Sequence, residues 1–80
     1  MLAIAPEQSR AARGLLGWSQ TELAEAAGVA LQTISKFETG DRTPIANNLI
    51  AIRRALEAAG VKFIPAGKTG GPGVRLGKPL

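Results

Sequence analysis

The sequence predicts an all-α fold of four to five short helices, followed by a short C-terminal β-hairpin or an extended tail. Three observations carry that prediction. The apolar residues are mostly Ala, Leu, Ile and Val, with two Phe, one Trp, one Met and no Tyr, a set suited to small, closely packed helices. Glycine and proline divide residues 1–60 into segments of helical length. Beyond Gly60 the pattern changes, because Val61-Lys62-Phe63 and Val74-Arg75-Leu76 alternate apolar and basic side chains as strands do. Eighty residues hold one core at most. Residues 1–60 are therefore read as one helical domain and residues 61–80 as a basic tail rich in Gly and Pro.

The first helix opens at Pro6 and Glu7, where a missing N–H costs nothing and an acid complements the helix dipole. Ala11, Ala12, Leu15 and Leu16 form its apolar set, Gly17 is its stop, and Trp18 packs under the junction. Ser19 and Glu22 have capping-box spacing, so the second helix begins at Gln20. It presents Leu23, Ala24 and Ala27 on one face and ends at Gly28, the residue type that most readily turns left-handed. After a tight turn a third helix spans about Leu31 to Thr39, with Ile34 and Phe37 inward and a stop at Gly40. Thr43 and Pro44 read as the cap and first residue of a fourth helix. Its stripe Ile45, Leu49, Ile52, Leu56 and Ala59 steps by 4, 3, 4 and 3. Two strands alone are barely stable, so the tail hairpin needs a helix beneath it or the same strands from a second subunit.

Composition removes much chemistry. Without Cys or His there is no disulfide, thiolate nucleophile, imidazole base or usual zinc site. Six scattered acids and no phosphate-cradling Gly loop leave little for a catalytic site, so the chain is read as a non-enzyme with no cofactor, metal or small-molecule substrate. The start Met1 to Pro6 is short and uncharged, and no apolar run approaches the roughly 18 residues of a membrane span. The expectation is a cytoplasmic protein with no membrane partner. The net charge of +4 is unevenly placed. Residues 1–57 balance six basic against six acidic side chains, and residues 58–80 add Lys62, Lys68, Arg75 and Lys78 with no acid. Such a surplus points to an anionic partner.

Leu23, Ala24, Ala27, Gly28, Val29, Ile34 and Phe37 occupy the positions at which two helices joined by a tight turn must be apolar, small or flexible. With Gln20, Glu38 and the following segment Glu38-x-Gly40-x-Arg42-x-Pro44, the pattern resembles the phage-repressor (lambda-repressor-like, Xre-type) helix-turn-helix family of DNA-binding regulators. The resemblance covers about Ser9 to Ala59. It implies that the third helix enters the major groove, whose base edges present distinct donors and acceptors. Leu31, Gln32, Thr33, Ser35 and Lys36 then become base readers; Gln32 and Lys36, four apart, share a face. Gln20, beside the positive end of the second helix, together with Thr39, Arg42 and Asn47, would hold phosphates. Arg13 would pair with Glu38 inside the fold. Two arginines keep alternatives: Arg42 pairs at the surface with Asp41 or Glu38 if it does not hold phosphate, and Arg10 reaches phosphate or is solvated. The chain departs from the family at two positions. Ala30 stands where the family often has a Ser or Thr cap, at a cost of about 1 kcal/mol. Leu31 replaces a residue that is usually polar, and suits either a thymine methyl or a partner surface.

Family members bind as dimers to half-sites about one helical turn apart. The expectation is thus a sequence-specific regulator of double-stranded DNA, most simply a repressor, acting as a homodimer. Val61, Phe63, Val74 and Leu76 would form one apolar face covered by a two-fold copy. The alternative is an antitoxin or anti-activator that captures a protein partner through its tail, with DNA binding secondary.

Overall fold

The computed structural model describes residues 3–78. In chain order these form α1 (Pro6–Leu16), α2 (Gln20–Ala27), α3 (Leu31–Glu38), α4 (Ala46–Ala58), β1 (Val61–Ile64) and β2 (Gly73–Leu76). The fold is therefore four helices plus an antiparallel two-stranded hairpin, and there is no fifth helix among the described residues. Among the described residues no helix is long and apolar enough to cross a membrane.

Capping chemistry sets both ends of α2. Ser19 Oγ accepts the Glu22 N–H at 3.0 Å, and the Glu22 carboxylate accepts the Ser19 N–H at 2.9 Å. Gly28, at φ 71°, ends α2. The Val29 N–H then donates to the Ala24 carbonyl at 3.1 Å, closing the last turn. At the start of α3, Ala30 offers no side-chain acceptor.

Two apolar stripes differ from the sequence-based expectation. α4 begins at Ala46 with Ile45 as its N-cap, two residues after the expected Pro44 start. Residues 42–45 lie outside the helix, and Ile45, at φ −59° and ψ 155°, is still non-helical. Ile45 thereby leaves the stripe and is 70% exposed, while Ile52 and Leu56 are fully buried. On α1, Ala11 and Leu15 face solvent, and the buried positions are Gln8, Ser9 and Ala12. Both polar residues are buried with their hydrogen bonds made.

One core unites all elements. Ile4, Leu23, Ile34, Phe37, Ile52, Leu56 and Val61 are its largest members; full burial of each is worth about 1.5–3 kcal/mol. The hairpin register pairs Val61 with Leu76, Lys62 with Arg75, Phe63 with Val74 and Ile64 with Gly73. Val61 is buried, and Phe63 and Val74 pack against the core beside α1 and α4. Gln8 ties the hairpin down: its Nε2 donates to the carbonyls of Gly73 at 3.0 Å and Ile64 at 3.4 Å, while its Oε1 accepts the Ala5 N–H at 2.8 Å. This corrects the expectation that Val61, Phe63, Val74 and Leu76 present an open face to a second copy. α1 and α4 of the same chain supply the helical layer that a two-stranded sheet needs, and Leu76, opposite Val61, is itself half-buried.

Candidate nucleic-acid interface

The pose of α3 is set from its last residue. Glu38 is only 2% exposed, and its carboxylate accepts hydrogen bonds from two other elements, α1 and α2. Arg13 donates through Nε at 2.9 and 3.1 Å and through Nη2 at 2.6 Å; Ser9 Oγ donates at 2.5 Å and Gln20 Nε2 at 3.1 Å. Arg13 Nη1 also donates to the Trp18 carbonyl at 3.0 Å. One buried carboxylate thus locks α1, α2 and α3 together. Burial pushes the Glu38 carboxyl up, but the hydrogen bonds from Arg13, Ser9 and Gln20 outweigh it and hold the group below the usual carboxylate range. The same contact raises the Arg13 guanidinium against the opposing effect of burial. Arg10 donates to the Glu38 backbone carbonyl. That satisfies an unpaired carbonyl at the end of α3, a role in neither alternative weighed from sequence.

With its C-terminus fixed, α3 turns its other flank outward. Leu31 is 48% exposed; Gln32 is exposed, and Thr33, Ser35 and Lys36 are half-buried. A groove of about 250 Å³ runs beside this flank, closed on its far side by residues 42–45, the segment before α4. Gln32, Thr33, Lys36 and Arg42 line it together, and no acidic side chain does. Arg42 is exposed and makes no ion pair with Asp41 or Glu38. A cationic groove holding an amide and a hydroxyl offers donors for phosphate oxygens and for base edges.

The remaining expected contacts fall around this groove. Thr39 is exposed at the end of α3, with its hydroxyl donating to the Lys36 carbonyl at 3.1 Å. Gln20 is half-buried at the start of α2 with its side-chain N–H turned to Glu38. The capping box uses the N–H of Glu22, whereas those of Gln20 and Thr21 find no acceptor among the described residues. Ser35 lies outside the groove lining, and Asn47 sits on a neighbouring shallow face with Ala26, Ile50 and Arg54. The groove lining also includes Ala30, Thr43, Pro44, Ile45 and Asn48, none of them expected from sequence as site residues; Ile45 stands there as the N-cap and Asn48 in the first turn of α4.

Residues 10–59 match the family model described as helix-turn-helix. No curated protein matches the chain.

Proposed function

The chain belongs to the Xre-type, lambda-repressor-like helix-turn-helix family of DNA-binding regulators, and from that premise we propose that it is a sequence-specific repressor acting on duplex DNA as a homodimer. The observation that carries this reading is the acid-free groove in which Gln32, Thr33, Lys36 and Arg42 converge along the exposed flank of α3. In the proposed complex that flank enters the major groove. Gln32 bonds adenine through both ends of its amide, Leu31 meets a thymine methyl, and Thr33, Ser35 and Lys36 reach adjacent base edges. Arg42, Thr39, Asn47 and the first turn of α2 at Gln20 hold phosphates and set the register.

Repression follows from occupancy of a promoter. Two-fold symmetry provides the contact area that one such unit lacks, with half-sites about one helical turn apart. The rival reading, capture of a protein through the apolar tail, loses support because Val61, Phe63 and Val74 are packed against the core of their own chain. Selection of bound fragments from random duplexes tests the proposal. The expected product is an inverted pair of short half-sites about 10 base pairs apart, centre to centre; a pool that stays random after selection contradicts it.

A further inference from the structure

The four surplus cations of the molecule are absent from the groove beside α3. Lys62 lies on β1 and Arg75 on β2, directly opposite one another in the register. Alternation along each strand puts both on the face opposite Val61, Phe63, Val74 and Leu76, and both are exposed. Lys68 occupies the tip between Gly67 and Gly70, and Lys78 follows β2; these too are exposed. Among the described residues none of the four makes an ion pair, and residues 58–80 contain no acidic side chain to supply one. Like charges placed directly across a strand pair repel. The fold nevertheless holds this pair in place, with the inner face packed on α1 and α4 and Gln8 bonded to two strand carbonyls.

We propose that the outer face of the hairpin, with Lys62 and Arg75 at its centre, is a second anion-binding surface that takes the phosphate backbone of duplex DNA without regard to sequence. Its place in the fold separates it from the reading helix. The groove beside α3 meets α4 at its first turn, through Ile45 and Asn48, whereas the hairpin follows its last turn through Gly60. The thirteen residues between span about 20 Å. A phosphate set against Lys62 and Arg75 relieves their mutual repulsion and releases condensed counterions, the two sources of affinity that a sequence-blind contact has. The strand backbone is already formed, so binding orders only the Lys62 and Arg75 side chains.

The test uses the full chain, a random-sequence duplex several turns long, and fluorescence anisotropy over a salt series. Wild type is compared with the double variant K62Q/R75Q and with Q32A on the reading helix. The double variant is expected to bind on the order of tenfold more weakly at low salt and to lose about 2 from the slope of log affinity against log salt, while Q32A keeps the wild-type slope. Its melting temperature stays equal to or above that of wild type, since a repulsive pair has been removed. Unchanged affinity and slope in K62Q/R75Q overturn the inference and leave the reading helix untouched. A lowered melting temperature accompanying the loss also overturns it, by assigning the pair a structural role. A wild-type chain that ignores duplexes but binds polyglutamate through these residues gives the face to an acidic protein and contradicts this inference. Failure of the proposed function is read separately, as random-duplex binding with no sequence selected.

Discussion

At the scale of single residues, the decisive group is the Glu38 carboxylate, buried and bonded to Arg13, Ser9 and Gln20. Its pKa is lower folded than unfolded, so the unfolded chain binds more protons as the pH falls. The stability it contributes is full above the ordinary glutamate value of about 4.3 and is lost as pH drops through the folded value. Thermal melts from neutral to acid pH should show that loss in wild type and a flatter profile in Glu38→Gln. Removing Arg13 leaves a buried charge without its partner, so Arg13→Ala should cost about 3 kcal/mol in denaturant unfolding. A cost near that of an exposed surface pair would place the charge in solvent instead. The pairing of Arg13 with Glu38 was legible only through family resemblance. Neither Arg10 on the Glu38 carbonyl nor Gln8 on the hairpin carbonyls was legible at all, because both join residues more than 25 positions apart through polar atoms that leave no periodic trace.

At the scale of elements, sequence punctuation sufficed wherever a local hydrogen bond decides the outcome. The Ser19-Glu22 box and Gly28 define α2 because their partners are within a turn. Ser19→Ala should cost about 1 kcal/mol, measured by chemical denaturation, and Gly28→Ala a similar amount from its left-handed backbone alone, since a Cβ there meets nothing within 4 Å. α4 starts two residues later than the Thr43-Pro44 pair signals, although an extended residue before Pro suits an N-cap and Pro suits the first helical position. Nothing in the local sequence explains the delay. Ile45 and Asn48, at the actual start, line the groove. α1 was misread on its buried face because apolar periodicity cannot see that Gln8 and Ser9 are buried with their hydrogen bonds made.

At the scale of the whole molecule, the hairpin belongs to the core. The sequence pattern showed both strands and which side chains share a face, but what covers that face depends on the packing of α1 and α4, which no local pattern encodes. Truncation after Gly60 removes Val61, Phe63 and Val74. Each is worth up to about 1.5–3 kcal/mol when fully buried, together comparable with the total stability of about 5 kcal/mol for a domain this small. The truncated chain should therefore lose its cooperative melt by circular dichroism, and a sharply melting, folded 1–60 fragment would show that the hairpin is dispensable. Dimerisation is better measured on the intact chain, by sedimentation with and without its selected duplex.

The most direct measurement takes the duplex recovered by selection and determines the affinity of wild type and Gln32→Ala for every single-base change in one half-site. If the outer flank of α3 reads the groove, the substitution costs about 1–3 kcal/mol and erases discrimination at one base step, leaving the others intact. Equal weakening on every duplex, with discrimination preserved at all steps, would contradict the placement of α3 in the major groove.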